Sequence, residues 1–201
     1  MSGKRSAAVV LVLLLFVIGA SISGCDTGIT ESPDPGILRV VLQSNPADTS
    51  ILIVNRTFVV SEGDVFMLTI FQGRAYHDST YGILFRSPES YREEQVSYNI
   101  IARENGEYVS YVIFESHLPP AEYNRIQFGM TTSSLKLGNL EIPVKVPEDV
   151  LPFVDLYRDF RIKEGQTTEL KVQISPFKSV HRYRDTYQFI PEVEIVDVKY
   201  Y

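Results

Sequence analysis

The chain has 201 residues, 44% hydrophobic and 22% charged, with a formal net charge of −6, 12 tyrosines, no tryptophan and one cysteine. That length suits one domain with its own core. The lone cysteine excludes an internal disulfide framework, and the acidic balance excludes a sequence-independent nucleic-acid binder or a partner of anionic lipid headgroups.

The chain opens on Lys4 and Arg5, followed by an uncharged apolar run from Ala7 to Ala20 (AAVVLVLLLFVIGA). This is the layout of an export signal. As a helix the run spans only about 21 Å at 1.5 Å per residue, short of the roughly 30 Å hydrocarbon core, so it does not read as a permanent membrane span. Ser21, Ile22, Ser23, Gly24 and Cys25 close the segment. Ile22-Ser23-Gly24-Cys25 resembles the lipobox of bacterial lipoproteins. The resemblance implies cleavage after Gly24, diacylglycerol on the Cys25 sulfur and acylation of the new amino group. Each buried methylene contributes about 0.8 kcal/mol, so several chains hold a protein on a bilayer almost permanently. Asp26 resembles the enterobacterial signal for retention at the inner membrane. The periplasmic face of the inner membrane and the outer membrane or cell surface are therefore both expected locations.

Removing residues 1 to 24 takes Lys4 and Arg5 and no acid, which moves the net charge from −6 to −8. Residues 25 to 36 (CDTGITESPDPG) read as a flexible, solvated tether, and a single domain is expected over residues 37 to 201. There Val, Ile, Tyr, Phe and Thr recur at every second position, which is the signature of strands. The pattern predicts strands at 37 to 43, 50 to 60, 64 to 71, 81 to 86, 96 to 103, 108 to 115, 123 to 130, 134 to 137, 140 to 146, 159 to 163, 168 to 174 and 188 to 199. Two turns fix pairing registers. Asn105-Gly106 as a two-residue hairpin turn places Ala102 opposite Val109, Ile100 opposite Tyr111 and Tyr98 opposite Ile113; it also sets Glu104 against Glu107. Gly138-Asn139 places Leu137 opposite Leu140, Lys136 opposite Glu141 and Leu135 opposite Ile142. Residues 147 to 158 (PEDVLPFVDLYR) are the best helix candidate, limited to a turn or two by Pro152. The fold class expected is all-β, an antiparallel β-sandwich with little helix.

The stretches LPPAEYNRIQF (118 to 128), LEIPVKVPE (140 to 148), FRIKEGQTTELKVQIS (160 to 175) and KSVHRYRDTYQFIPEVEIVDV (178 to 198) resemble a domain-of-unknown-function family of bacterial and archaeal envelope lipoproteins. The opening GILRVVLQSNPAD fits that family's strand followed by a Pro-Ala-Asp loop. The resemblance implies an immunoglobulin-like or transthyretin-like sandwich and an envelope location, and brings no established activity. Ala121 and Glu122 replace the family's Gly before Tyr, and Ile174-Ser175-Pro176-Phe177 stands where relatives carry acids.

Chemistry-bearing patterns are sparse. His77, His117 and His181 show no metal-ligand spacing. His77-Asp78-Ser79 reads as a polar loop, since a working triad is assembled from distant positions. Glu62, Asp64, Glu89, Glu93 and Glu94 read as solvated loop charges. The stretch 181 to 187 (HRYRDTY) mixes arginines with aromatics, so His181, Arg182, Tyr183, Arg184 and Tyr187 are the candidate ligand contacts, and Tyr183, Tyr187 and Phe189 are a candidate ring platform. The function expected is a membrane-anchored envelope module that binds a glycan, a peptide or a partner protein without catalysis. No cofactor, metal or nucleic acid is expected. The alternatives are a fimbrial-type subunit using strand addition and a hydrolase using loop carboxylates.

Overall fold

The computed structural model describes residues 32 to 201. The signal segment, Cys25, Asp26 and most of the tether lie outside the described residues. Among those described there is no helix. The strands in chain order are β1 (Gly36–Ser44), β2 (Ser50–Ile53), β3 (Arg56–Val59), β4 (Val65–His77), β5 (Thr80–Leu84), β6 (Val96–Asn99), β7 (Arg103–Glu104) and β8 (Glu107–Tyr108). Then follow β9 (Tyr111–Leu118), β10 (Ala121–Leu137), β11 (Leu140–Lys145), β12 (Phe153–Ile162), β13 (Thr167–Ile174), β14 (Val180–Tyr183), β15 (Thr186–Phe189) and β16 (Val193–Tyr200).

These strands form an all-β sandwich. The smaller sheet has the order β16-β13-β1-β9, and the larger runs β14-β15-β11-β10-β4-β5, with β12 beside β10 and β6 beside β4. Pairing is mostly antiparallel, but β1 with β13 and β11 with β15 run parallel. Period-2 alternation explains the layers. In β1, Leu38, Val40 and Leu42 point inward while Ile37, Arg39, Val41 and Gln43 are half-buried on the other face. Phe114 of the smaller sheet meets Phe128 of the larger edge-to-face at 5.8 Å. Phe66 and Phe189, both buried, meet at 5.9 Å. Ser116 stitches the β9 and β5 edges together: its hydroxyl donates to the Phe85 carbonyl at 3.1 Å and accepts from the Phe85 amide at 2.6 Å.

The Gly138-Asn139 hairpin has the expected register throughout. The Asn105-Gly106 turn also forms, with both residues at positive φ (54° and 84°), Glu104 opposite Glu107, and the Val109 amide donating to the Ala102 carbonyl. Beyond that point the expected pairing is wrong. Tyr98 pairs with Leu68 in the larger sheet, while Tyr111 pairs with Leu42 in the smaller. The cause is Ile100-Ile101: both are buried, which a strand with one inward face cannot accommodate, and a turn from Asn99 to Ala102 carries the chain between sheets. Tyr98 and Tyr111 still meet, ring centroids 5.0 Å apart, and the Tyr111 hydroxyl donates to the Asn99 carbonyl.

Four other expectations change. Residues 50 to 60 are the β2–β3 hairpin, turning at Val54-Asn55 with φ of 42° and 67°, a strained conformation for a β-branched residue. Residues 123 to 130 and 134 to 137 are one strand, β10. Residues 147 to 158 contain no helix: a turn at Pro147 leads into β12, and the Pro152 carbonyl accepts the Met130 amide at 2.7 Å. Residues 188 to 199 break at Pro191, so that β15 joins the larger sheet and β16 the smaller.

Candidate ligand-binding face

The outer surface of the larger sheet carries the most organised cluster of functional side chains. In β4, Phe66, Leu68 and Ile70 face the core. Continued alternation would send Arg74 and Tyr76 inward as well. Instead the register slips at Gln72 (φ 51°), where two β4 residues lie opposite Phe128, so that Gly73 and Ala75 become the inward pair. Arg74 and Tyr76 are thereby turned to the surface, a known use of β-bulges.

Strand pairing then builds two rows across β12, β10, β4 and β5. The first is Tyr157, Arg125, Tyr76 and Tyr81; the second is Asp155, Gln127, Arg74 and Ile83. The Arg125 guanidinium carbon lies 3.7 Å from the Tyr76 ring centroid and 5.7 Å from that of Tyr157. Tyr76 and Tyr81 are 5.5 Å apart, and the Arg74 guanidinium sits 4.8 Å over Tyr81. A polar chain fixes this arrangement. Arg125 pairs with Asp155 at 3.2 Å, Gln127 donates to Asp155 at 3.0 Å, and the Tyr76 hydroxyl donates to Gln127 at 3.1 Å. The neighbouring Tyr76 hydroxyl, as a hydrogen-bond partner, raises the Arg74 pKa above its ordinary value. At the next level Phe71 and Phe153 pack edge-to-face over Gly129, where a Cβ would run into the Phe71 ring.

A second slip in pairing sets Asn124 of β10 opposite both Arg158 and Asp159 of β12. These three exposed side chains, with Asp78, Arg125 and Tyr157, line an open groove of about 540 Å³ beside the first row. Charges balance across rows and groove: Arg74, Arg125 and Arg158 against Asp78, Asp155 and Asp159. Cation–π contacts and the ion pair hold Arg125 flat, while Tyr157 and Tyr81 remain 74% and 51% exposed. The face therefore offers the open Tyr157 ring and the half-exposed Tyr81 ring, the latter with Arg74 over one side, separated by a fixed polar plate.

The candidate contacts expected from sequence lie elsewhere. His181, Arg182, Tyr183, Arg184 and Tyr187 form the β14–β15 hairpin, turning at Arg184-Asp185 with Arg184 at φ 54°. His181, Arg182, Tyr183 and Arg184 are exposed, but the ring platform does not form. Tyr183 pairs with Thr186 on one face, whereas Tyr187 and the buried Phe189 lie on the other, packed against the core. The His77 Nδ1 is held by the Glu122 carbonyl, and its Nε2 lies 3.9 Å from Asp78, so the His77-Asp78-Ser79 turn assembles no triad. Glu62, Glu89, Glu93 and Glu94 are exposed, as expected. Asp64 is not. It is buried, with Oδ2 accepting from the Ser61 amide and hydroxyl and Oδ1 from the Gly138 amide. Asp48, in the Pro-Ala-Asp loop, is likewise buried and accepts from the Phe177 and Lys178 amides. Both acids hold loops in place. Among the described residues no three His, Cys, Asp or Glu side chains converge in a way that would hold a metal ion.

The sequence signal for the aromatic row was Arg-Ala-Tyr at 74 to 76 and Asp-Leu-Tyr at 155 to 157, where outward strand positions carry rings and charges around one apolar residue. Ending the predicted strand 64 to 71 at Phe71 and reading 147 to 158 as the best candidate for a turn or two of helix hides both. Compared with family models, curated proteins and solved structures, the chain finds no match in any of the three.

Proposed function

We propose that this protein is a non-enzymatic binding module of the cell envelope, held to its membrane by lipid on Cys25, and that its ligand engages the outer face of the larger sheet. The observation that carries this reading is the Tyr157–Arg125–Tyr76–Tyr81 row. Stacked rings usually lie in a core; here three tyrosines and an arginine are stacked on a surface, with their geometry fixed before any ligand arrives. The chain's entry point agrees. The Asp34 amide donates to Glu164 and the Gly165 amide to the Pro35 carbonyl, so the tether joins beside the turn that follows β12. From Asp159 to Lys163 is about 13 Å along a strand, which places the groove at the tethered end of the domain. The edge strands β12 and β16 carry Asp155, Arg158, Asp159, Arg161, Glu194, Asp197 and Lys199, which discourages strand addition along these two edges.

Site-specific photo-crosslinking of the full-length, lipidated chain in living cells tests this reading. A reactive residue at position 157 or 81 is expected to form adducts, and one at Val112 or Lys199, on the outer face of the smaller sheet, is not. Adducts at 112 and 199 with none at 157 and 81 would show that the ligand face is misassigned.

A further inference from the structure

Resting on the reading that this face binds at all, we infer that its ligand is an uncharged, hydroxyl-rich glycan chain of several sugar units, laid across the strands from Tyr157 to Tyr81. Four observations converge on that chemistry. First, Tyr157 and Tyr81 sit on strands three spacings apart, about 14 Å at 4.8 Å per strand. A single sugar ring cannot touch both, whereas a short chain can. Second, the open Tyr157 ring and the side of the Tyr81 ring that Arg74 does not cover offer apolar faces for stacking the C–H faces of sugars, and the Arg125 plate between them offers donors.

Third, three arginines face three aspartates in and around the rows, and Arg125 is already paired with Asp155 at 3.2 Å. This local balance, in a chain of net charge −6, gives no field to attract a phosphate-rich or carboxylate-rich ligand. It does supply planar groups: Asn124, Arg158 and Asp159 at the groove can each form two parallel hydrogen bonds with neighbouring hydroxyls. Fourth, a chain laid along the rows crosses the strands instead of running beside one, and at their centre β10 is paired on both sides by β4 and β12. An extended peptide binds by hydrogen-bonding to a free strand edge. Under the rows the β10 and β4 backbones are already paired, and β12 carries Asp155, Arg158, Asp159 and Arg161 along its outer edge, so recognition falls to side chains, and the groove is open for a chain to pass through.

The test uses the purified full-length protein in detergent micelles, probed with immobilised neutral and anionic oligosaccharides of graded length and then titrated with the best neutral binder. Neutral chains are expected to bind and monosaccharides to compete poorly. Tyr157→Ala and Tyr81→Ala should each lower affinity roughly tenfold, and Tyr157→Phe should retain most of it. Raising the salt concentration should leave the affinity unchanged, because no net charge is neutralised. Both tyrosines are well exposed, and circular dichroism of each variant confirms that the fold is kept. Binding confined to anionic glycans, a steep loss with salt, or monosaccharides competing as well as chains would overturn the inference. Absence of any glycan binding, with crosslinks still forming at positions 157 and 81 in cells, would overturn the glycan and leave the binding face standing. Absence of both would remove the two together.

Discussion

Replacing Asp64 with alanine tests whether this fold is pinned by a buried acid at a loop junction. Asp64 is only 4% exposed. Its carboxylate accepts from the Ser61 amide at 2.7 Å, the Ser61 hydroxyl at 2.9 Å and the Gly138 amide at 2.7 Å. Its own carbonyl accepts from Asn99 at 3.1 Å, while Asn99 Oδ1 accepts the Phe66 amide at 2.9 Å. One residue thus ties the turn before β4, the β10–β11 hairpin and the end of β6. A hydrogen bond to a charged group contributes about 1.5–3 kcal/mol, and an orphaned buried donor costs a similar amount. The Ser61 hydroxyl can turn to water, so the two backbone donors dominate and the loss should be about 3 kcal/mol. That is a large share of the 5–15 kcal/mol typical of a domain. Asp64→Asn keeps an acceptor toward one donor and should cost about half as much. Urea unfolding measures both, through a lowered midpoint at unchanged slope. A shift under about 0.5 kcal/mol for Asp64→Ala would show that the junction is held by packing, and the reasoning would fail.

Gly129→Val should destabilise by about 1–3 kcal/mol, because the new side chain must displace Phe71 from its packing against Phe153; an unchanged melting temperature would contradict this. Alkaline pH should destabilise the domain in a defined window. Burial is the leading cause of a raised pKa for Tyr98, Tyr108, Tyr111 and Tyr123, with Tyr108 pushed up to about 12. The unfolded chain releases these protons first, so this stability is intact below about pH 10 and is lost as the pH rises toward about 12, by about 1–2 kcal/mol for Tyr108 after solvent screening. Tyrosinate absorbance of the folded protein should accordingly show a late-titrating group; all tyrosines ionising together near pH 10 would refute it. Cys25→Ser should block processing and move the protein to the aqueous phase of a detergent split. Cleavage before residue 25 in that variant, or a wild type in the aqueous phase, would contradict lipidation.

The legible parts of the fold were those where one local rule acted alone. Gly138-Asn139 combined a turn dipeptide with matching apolar pairs, and its register follows from nothing else. At Asn105-Gly106 the same rule held only to the end of the turn, because Ile100 and Ile101 respond to two sheets at once and no dipeptide encodes that competition. Residues 147 to 158 carry helix-start chemistry at Pro147, but Phe153, Tyr157 and their neighbours gained more by lining up against β10, a tertiary effect invisible in the window itself. The candidate face was hidden for a related reason. Its four row members come from four strands, and the bulge at Gln72 that turns Tyr76 outward is marked in the sequence by the neighbouring Gly73 alone, a residue that equally suits the end of a strand. Proximity in sequence favoured the 181 to 187 stretch, where alternation in fact divides Tyr183 from Tyr187.

The most direct test of the ligand face is tyrosine footprinting of the same protein in its native envelope and after purification. Tyr157 and Tyr81 are exposed in the isolated fold, and so are Tyr91 and Tyr183, at 90% and 51%. If the outer face of the larger sheet is occupied in the envelope, Tyr157 and Tyr81 will be protected there and will react once purified, while Tyr91 and Tyr183 react equally in both. Tyr157 and Tyr81 reacting in the envelope as fast as Tyr91, or protection falling on Tyr183 instead, would contradict the assignment of this face.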